Sequence, residues 1–211
     1  MTAEPKALHA WSGDFGAAYT ARNAVSEAAV AGRARVWGEV LSRLKGAPPK
    51  SILEVGPNAG LNLRGLAALG EFDFWAMEPQ PAAREILLRD KVLPENQLFA
   101  GFGHDLSQVA DGAVDMAFTS GVLIHVDPSL LERTLREIHR VSSKYVFAAE
   151  YFSPKPETIP YRGETDLLFK NDFGGLYMDM FPDLELVDYG FFWRRTTVMD
   201  DSTWWLFRKT R

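Results

Sequence analysis

A short turn between a buried strand and a helix constrains this chain more than any other feature. The segment reads Ser51-Ile-Leu-Glu-Val-Gly-Pro-Asn-Ala-Gly-Leu-Asn62. Its apolar start, which contains the acid Glu54, predicts a buried strand; Gly56 and Gly60 predict a tight turn, and Leu61 opens a helix. Chains with this arrangement lay backbone against an adenosine-type cofactor at the carboxyl end of a parallel sheet.

The spacing of the glycines indicates which cofactor the turn accepts. A dinucleotide site uses G-x-G-x-x-G, because two glycines let the backbone approach the pyrophosphate and the third packs the helix on the strand. Here Asn58 stands where the second glycine would be, and its side chain would crowd a diphosphate. S-adenosylmethionine carries no phosphate, and Glu54 suits its positively charged methionine end. The spacing therefore favours S-adenosylmethionine over NAD.

Composition bounds the class of protein. The chain has 211 residues, 46% hydrophobic and 24% charged, which is typical of a single soluble globular domain. It has no cysteine, which excludes disulfides, thiolate catalysis and cysteine-ligated metals, and no H-x-x-x-H spacing indicates a metal site. The net charge of −5 disfavours nucleic-acid binding. Without a membrane-length apolar run or an apolar signal core, we expect a cytoplasmic protein that binds no membrane.

The order of the predicted elements indicates the fold. Strands are predicted at 52–55, 72–77, 98–100, 114–118, 145–152, 184–192 and 203–208. Helices are predicted at 23–44, 61–69, 81–93 and 128–141, the last with Asp127 as N-cap before Pro128. Alternating strands and helices form βαβ units and a parallel sheet. We therefore expect an α/β Rossmann-like three-layer sandwich with a mostly parallel seven-stranded sheet, a late antiparallel strand and an N-terminal helical lid.

The chain divides into two predicted regions. Residues 1–48 form the lid or cap, which ends at the paired prolines of Lys45-Gly-Ala-Pro-Pro-Lys50. Residues 49–211 form the main domain, with an acceptor-binding insertion near 153–182. Three prolines in 153–161 predict a loop there.

Acids after the second and third strands are candidate contacts for the nucleoside of the cofactor. Glu78 ends the second strand, roughly 20 residues past the glycine turn, where an acid accepts hydrogen bonds from ribose hydroxyls. Asp105 follows the third strand and would accept from the adenine amine, with Leu106 against the ring. The alternatives are a solvated acid at Glu78 and an N-cap for a helix over 106–109 at Asp105.

The end of the fourth strand is predicted to face the methionine portion of the cofactor. Thr119 and Gly121 lie at the topological switch point, where ligands of open α/β sheets bind. His125 follows, and its ordinary pKa near 6.5 suits a general base that deprotonates a hydroxyl or ammonium nucleophile. The alternative is a histidine that only makes structural hydrogen bonds.

The segment before the sheet is rich in aromatic residues, which predicts a lid over the cofactor. Trp11, Phe15 and Tyr19 lie close together in sequence, followed by Arg22 and Asn23. We expect Tyr19 and Arg22 to face the methionine carboxylate and Asn23 to lie near the acceptor. Simple packing of an N-terminal helix on the domain is the alternative.

A polar loop after the fifth strand is the candidate acceptor site. It carries Tyr161, Arg162, Lys170 and Asp172 among glycines and aromatics, a mixture that orients polar substrates. Trp193-Arg-Arg195 would add cations for a phosphate or carboxylate. A solvated surface loop is the alternative.

Several motifs together carry a resemblance that covers nearly the whole chain. The chain resembles class I S-adenosylmethionine-dependent methyltransferases and is similar to the pseudaminic acid biosynthesis-associated methylases. The motifs are Phe15-Gly-x-x-Tyr19-x-x-Arg22-Asn23, Leu53-Glu-Val-Gly-Pro-Asn58, Thr119-Ser-Gly-Val-Leu-Ile-His125, Tyr161-Arg-Gly163, Phe169-Lys-Asn-Asp-Phe173, Asp188-Tyr-Gly190 and Thr203-Trp-Trp-Leu206. Asn58 departs from the superfamily pattern, which has glycine there.

These observations predict a methyltransferase that acts on a small molecule. The methyl group of S-adenosylmethionine would pass to an oxygen or nitrogen of a polar acceptor such as a sugar or nucleotide-linked sugar, with His125 as base. Two alternatives remain at this point: a nicotinamide-dependent dehydrogenase, and a non-catalytic S-adenosylmethionine-binding regulator. The protein would be a monomer or a homodimer, since a lid of this kind can close from a neighbouring subunit.

Overall fold

The computed structural model of the protein describes residues 5–23 and 25–210. Within these residues the α-helices are Lys6–Ser12 (α1), Asp14–Arg22 (α2), Glu27–Leu41 (α3), Leu61–Ala67 (α4), Pro81–Arg89 (α5), Pro128–Val141 (α6) and Phe173–Met180 (α7). Short 3₁₀ turns cover Ser42–Leu44, Glu95–Gln97 and Leu123–His125. None of the described helices combines the length and apolarity needed to cross a lipid bilayer.

Seven strands form one sheet, and two shorter strands form a separate hairpin. The strands are Ser51–Val55 (β1), Asp73–Met77 (β2), Leu98–Phe99 (β3), Val114–Ser120 (β4), Ser142–Glu150 (β5), Glu157–Thr158 (β6), Phe169–Lys170 (β7), Leu184–Phe192 (β8) and Ser202–Lys209 (β9). The large sheet has the order β3-β2-β1-β4-β5-β9-β8, and β6 pairs with β7. Within the large sheet, β9 alone among the described strands runs opposite to the others, antiparallel to its neighbours β5 and β8. The predicted fold class is confirmed.

Helices cover both faces of the sheet and produce two apolar cores. On one face α3, α4 and α5 bury Trp37, Leu66 and Leu87. On the other face α6 and α7 bury residues such as Ile138 and Tyr177. The buried residues of β1 and β4 supply both cores, as expected for parallel strands covered on two sides.

Local sequence signals explain where several helices begin. The Asp127 carboxylate accepts a hydrogen bond from the Ser129 N–H at 2.9 Å, and Pro128 occupies the first helical position of α6, as predicted. The Ser26 hydroxyl accepts from the Ala29 N–H at the start of α3. The predicted helix at 23–44 therefore begins later than expected, at Glu27, and residue 24 lies outside the described residues.

Other predicted boundaries differ from the structure. The fifth strand begins at Ser142 rather than at residue 145, directly after α6, and the predicted helix 81–93 ends at Arg89. The predicted loop 153–161 contains β6, and α7 was not predicted because its sequence contains two adjacent glycines. Residues 106–109 form no helix, so the alternative interpretation of Asp105 as a helix N-cap is wrong.

The strand order places the switch point between β1 and β4, because the chain leaves these two neighbouring strands in opposite directions across the sheet. The helices α1 and α2 lie near this switch point, where α2 contacts α5. The helix α3 instead packs on α4 in the helix layer. Of the predicted lid region, α1 and α2 are therefore the part that covers the carboxyl ends of the strands.

Candidate active site

A cavity of about 200 Å³ opens at the carboxyl ends of β1, β2 and β4, beneath α1 and α2. Eight of the sequence-predicted site residues line it: Tyr19, Asn23, Glu54, Gly56, Asn58, Glu78, Gly121 and His125. Nine others do not: Arg22, Gly60, Asp105, Leu106, Thr119, Tyr161, Arg162, Lys170 and Asp172. Among the described residues, no group of three His, Asp or Glu side chains is arranged to hold a metal ion.

The turn after β1 requires residues that tolerate left-handed backbone. Gly56 has a φ of 71° and Gly60 a φ of 77°. A Cβ on Gly56 would lie 2.8 Å from Val122, and one on Gly60 would lie 2.7 Å from Leu87. Gly56 thus lets β1 pass close to the residue after β4, whereas Gly60 serves the packing of α4 on α5 and does not reach the cavity.

Asn58 also adopts left-handed backbone, with a φ of 50°, which asparagine tolerates better than most residues. Its Nδ2 donates to the Thr20 hydroxyl on α2 at 2.9 Å, and its Oδ1 accepts from the Ala59 N–H at 2.8 Å. Asn58 therefore replaces the glycine of the superfamily pattern with a side chain that ties the turn to the lid. We did not predict this contact from the sequence.

Glu78 joins three parts of the site. Its Oε2 accepts from the Asn58 N–H and its Oε1 from the Gln80 N–H, both at 2.8 Å. Burial raises the pKa of Glu78, and these backbone donors oppose the shift. The Gln80 Nε2 in turn donates to the carbonyls of Trp11 and Gly13 in the lid. Glu78 is therefore a buried carboxylate held in one position at the end of β2.

Glu54 is a second buried acid in the cavity. Its Oε1 accepts from Asn62 Nδ2 at 2.7 Å, whereas its buried Oε2 has no hydrogen-bond partner among the described residues. Burial raises the pKa of Glu54 to about 8, although Asn62 and the charge of Arg33 oppose the shift. Glu54 thus presents an unsatisfied oxygen that a cationic donor would stabilise.

Arg33 is the cation of this cavity, and the sequence analysis missed it. It lies on α3 in helical register with buried Val36, Trp37 and Val40, which was the available signal. Its Nη1 contacts the Met199 sulfur, its buried Nε has no partner, and it forms no ion pair within the described part of the chain. Burial lowers its pKa. The predicted Arg22 is instead exposed and lies over the Tyr19 ring, 6.0 Å from its centroid.

The loop after β3 differs from the prediction. Asp105 is exposed, and its pKa is lowered by hydrogen bonds from the Ser107 hydroxyl and from the Ser107 N–H, the latter at 3.1 Å. Leu106 is fully buried in the core. Neither residue reaches the cavity, which Phe102 and His104 line instead. Residues closer to the end of β3 than Asp105 and Leu106 therefore line the part of the cavity that we assigned to adenine.

The segment after β4 is held by a buried acid at the end of β5. Glu150 accepts from the Val122 N–H at 3.2 Å and from the Ile124 N–H at 3.3 Å. Burial raises its pKa to about 7. Thr119 is fully buried on β4, so Ser120 and Gly121 are the residues that reach the cavity. Gly121 has a φ of 68°, which turns the chain towards His125.

His125 lies in the cavity wall among aromatic rings. Its Nδ1 lies 2.5 Å from the Leu167 carbonyl, which requires the proton on Nδ1 and leaves the Nε2 lone pair free. Burial lowers its pKa to about 4, against the effect of that carbonyl. The rings of Trp11 and Tyr161 lie 4.4 and 5.3 Å away between centroids. The imidazole is therefore neutral near pH 7.

Aromatic contacts close α1 and α2 over the site. Trp11 packs edge-on against Phe15 and Tyr19, and Phe15 reaches Tyr161 with a centroid distance of 6.2 Å. At the rim, Lys6 forms an ion pair of 2.6 Å with Glu164. The predicted lid segment thus packs on the loop after β5 as well as on the glycine turn.

The four predicted acceptor residues lie in different places. Tyr161 is in the aromatic cluster beside His125. Arg162 is exposed, with its guanidinium 5.5 Å from the Tyr161 ring centroid. Lys170 lies on β7, with its Nζ 6.0 Å from the centroid of Tyr151. Asp172 caps α7 through a 2.9 Å bond from the Gly175 N–H, so its carboxylate has a structural partner.

Comparisons with known proteins agree with this geometry. Residues 53–145 match the family model described as a methyltransferase domain. None of the curated proteins matches the chain. The 1,6-didemethyltoxoflavin-N1-methyltransferase of Burkholderia thailandensis, solved with 1,6-didemethyltoxoflavin and S-adenosylhomocysteine, is 18% identical with a TM-score of 0.70; the match covers 100% of this chain and 92% of that one.

Two further solved structures are similar in fold. The complex of the Haloferax volcanii Trm112 methyltransferase activator with a putative methyltransferase matches at 13% identity and a TM-score of 0.67, over 92% of this chain and 96% of the other. The [4+2]-cyclase SpnF matches at 16% identity and a TM-score of 0.61, over 84% and 80%. These likenesses concern the fold alone. Residues 53–145 therefore match a methyltransferase domain, and the chain has the fold of the class I methyltransferases, whose cofactor is S-adenosylmethionine.

Proposed function

We propose that this chain transfers the methyl group of S-adenosylmethionine to an oxygen or nitrogen of a polar small molecule such as a sugar or nucleotide-linked sugar. The observation that carries the proposal is the polarity of the cavity. Its lining includes Glu78, fixed by two backbone donors, and Arg33, a half-buried cation with no ion pair among the described residues. A nucleoside with ribose hydroxyls and an amino acid carboxylate complement these two residues.

Each end of the cofactor has matching residues in this proposal. The Glu78 carboxylate would accept from the ribose hydroxyls, and Phe102 and His104 would line the adenine side. The free Oε2 of Glu54 would accept from the methionine ammonium, and Arg33 and the Tyr19 hydroxyl would donate to the carboxylate. Backbone at Gly56, Asn58 and Gly121 allows the cofactor to approach the strand ends.

The residues around the methyl group would act mainly by position. Bound S-adenosylmethionine supplies an electrophilic methyl group on a sulfonium, which leaves as a neutral thioether. The side chains of Tyr19, Tyr161 and His125 would align the acceptor with the methyl group. In well-oriented cases such alignment lowers the activation free energy by up to roughly 7–11 kcal/mol. The free Nε2 of His125 accepts the proton of a hydroxyl or ammonium acceptor. The aromatic lid excludes water from this end.

The test is parallel calorimetric titration with S-adenosylmethionine, S-adenosylhomocysteine and NAD, followed by an assay of S-adenosylhomocysteine release with a panel of sugars and sugar nucleotides. We expect the first two ligands to bind, NAD not to bind, and S-adenosylhomocysteine to be released with at least one acceptor. Binding of NAD alone would overturn the cofactor assignment.

A non-catalytic S-adenosylmethionine-binding role is the second candidate, because this fold does not by itself require methyl transfer: the [4+2]-cyclase SpnF, similar in fold, is named for a different reaction. That role would leave cofactor binding intact without release of S-adenosylhomocysteine in the presence of any acceptor.

A further inference from the structure

A second concave surface lies outside the cavity, at the same edge of the sheet. We define the outer groove by Phe152, Lys170, Phe191 and Arg194, together with Tyr151 and Asp200, which form its inner wall. It is built from the residues after β5, the strand β7 and the turn between β8 and β9. Nothing in the catalytic proposal above uses Phe152, Phe191 or Arg194.

The outer groove offers aromatic faces and free cations together. Phe152 and Phe191 are 46% and 59% exposed, and both line the same groove. Within the described part of the chain, neither Lys170 nor Arg194 forms an ion pair through its side chain. An aromatic face stacks on a planar ring, and an unpaired cation beside it binds phosphate.

The acids of this surface already have hydrogen-bond partners. The Asp200 carboxylate accepts from the Tyr151 hydroxyl at 3.1 Å, and Asp201 accepts from the backbone N–H of Arg194 at 2.8 Å. Lys170 and Arg194 have no such partner on the side chain, so within the described residues the groove's hydrogen-bond donors that remain free for a ligand are those of its two cations.

The inner wall adjoins the active-site cavity, because Arg33, which lines the cavity, contacts Met199, the residue before Asp200. Tyr19, which lines the cavity, and Tyr161 both help to raise the pKa of the Tyr151 phenol, after burial and Asp200. The charge of Asp200 also acts on Arg33, on the cavity side. A ligand that extends past this wall from the methyl-transfer end would therefore enter the outer groove.

We infer that the outer groove binds a nucleoside diphosphate portion of the methyl acceptor, with its base on Phe191 or Phe152 and its phosphates on Lys170 and Arg194. This inference rests on the proposed function, since the groove is assigned to the acceptor of that reaction. The part of the acceptor beyond the diphosphate then reaches the wall formed by Tyr151, Tyr161 and Tyr19. The chain thus selects acceptors by a group distant from the methylated atom.

The test is calorimetric titration of the whole chain, saturated with S-adenosylhomocysteine, with the 5′-diphosphates of uridine, cytidine, guanosine and thymidine. At least one should bind, and its nucleoside and inorganic pyrophosphate should each bind at least about tenfold more weakly, because each retains only one of the two recognised features. If none of the four diphosphates binds, or if pyrophosphate binds as tightly as the best of them, the inference is overturned.

Matched variants locate the site. Arg194→Gln and Lys170→Gln should weaken binding of the diphosphate about tenfold, whereas Arg195→Gln, at a neighbouring exposed arginine outside the groove, should not. Phe191→Ser should weaken it, whereas Tyr189→Ser, two residues earlier on the same face of β8, should not. Equal effects of a groove variant and its control would place the nucleotide elsewhere.

Saturation with S-adenosylhomocysteine separates this inference from the proposed function. If S-adenosylhomocysteine binds and no diphosphate does, the groove assignment fails and the cofactor site stands. If S-adenosylhomocysteine itself does not bind, the proposed function fails, and titration of the diphosphates without it still decides whether the groove binds nucleotides.

Discussion

The backbone N–H of Asn58 donates to the Glu78 carboxylate at 2.8 Å and joins the turn after β1 to the end of β2. The same asparagine continues the connection through its side chain to Thr20 in the lid. One residue therefore links the proposed ribose carboxylate, the glycine turn and α2. A change at Asn58 should alter cofactor binding through the lid more than it alters the fold.

Asn58→Gly is expected to weaken S-adenosylmethionine binding about fivefold to tenfold, because the lid loses its hydrogen bond to the turn. Folding stability should change little, since glycine adopts the φ of 50° without strain. Titration calorimetry measures the affinity, and chemical denaturation measures the stability. Thr20→Val removes the same bond from the other side, so the double variant should be no weaker than either single variant. Additive losses would contradict a shared role.

Arg33→Gln should weaken S-adenosylmethionine binding about tenfold to a hundredfold, because a charge-assisted bond to the methionine carboxylate is lost. Adenosine, which lacks that carboxylate, should bind the variant as it binds the original chain. Arg22→Gln is the control, because Arg22 is exposed and does not line the cavity. Equal losses for the two ligands would show that Arg33 supports the cavity only structurally, and a larger loss at Arg22 would restore the sequence-based assignment.

Binding of S-adenosylmethionine near pH 7 should release close to one proton. With a pKa of about 8, Glu54 is mostly protonated in the free chain at pH 7. A positively charged ammonium beside Oε2 favours the ionised form and expels the proton. Affinity should therefore rise with pH up to about pH 8, by at most about tenfold per unit.

Calorimetry in two buffers that differ in ionisation enthalpy measures this proton. Glu54→Gln should abolish the release, and adenosine should cause none because it has no ammonium. Release that persists in Glu54→Gln would assign the proton to another group.

The prediction of this protein from its sequence succeeded where periodicity and turn chemistry dominate. The mostly parallel seven-stranded sheet follows from the alternation of strands and helices, and Asp127 and Gly56 carry local signals that the structure reproduces. The sequence could not decide whether Arg22 or Arg33 faces the methionine carboxylate, because that depends on how α3 packs and on which of its faces meets the cavity. Even so, the register of Arg33 with buried Val36 and Trp37 contained a usable signal.

The glycines of α7 explain another failure. Gly174 lies directly under the Trp205 indole, where a Cβ would collide with the ring. The packing of α7 on β9 therefore requires a glycine here, whereas in the sequence we interpreted this residue as part of a loop. Likewise, Asp105 was assigned to adenine because the length of the turn after β3 is not encoded in any local pattern.

His125→Ala should lower kcat about a hundredfold if Nε2 accepts the acceptor proton, with S-adenosylmethionine affinity within about twofold. Because burial lowers the pKa of His125 to about 4, the histidine is neutral above about pH 5 and should contribute no inflection near pH 6.5. A pH profile of kcat with the active acceptor checks this. His125→Asn can retain a donor towards Leu167, so recovery of activity in that variant would assign a positioning role, and an equal loss of cofactor affinity would assign a structural one.

Glu150 should make the folded state less stable as the pH rises. Its pKa is raised by burial from 4.5 to about 7, so the folded chain binds more protons than the unfolded chain between these values. The contribution of this group is complete below about pH 4.5 and is lost as the pH rises through about 7, at up to about 1.4 kcal/mol per pH unit. Glu150→Gln cannot ionise and keeps one carbonyl oxygen for the N–H of Val122 or of Ile124, and the loss of the other hydrogen bond is the same at every pH. The free energy of unfolding of Glu150→Gln, relative to that of the unsubstituted chain, should therefore increase by about 2–3 kcal/mol between pH 5 and pH 8.

Urea denaturation at the two pH values measures the difference, with Glu85→Gln at an exposed position of α5 as the control. Parallel curves for the original chain and Glu150→Gln would show that this carboxyl keeps an ordinary pKa in the folded state.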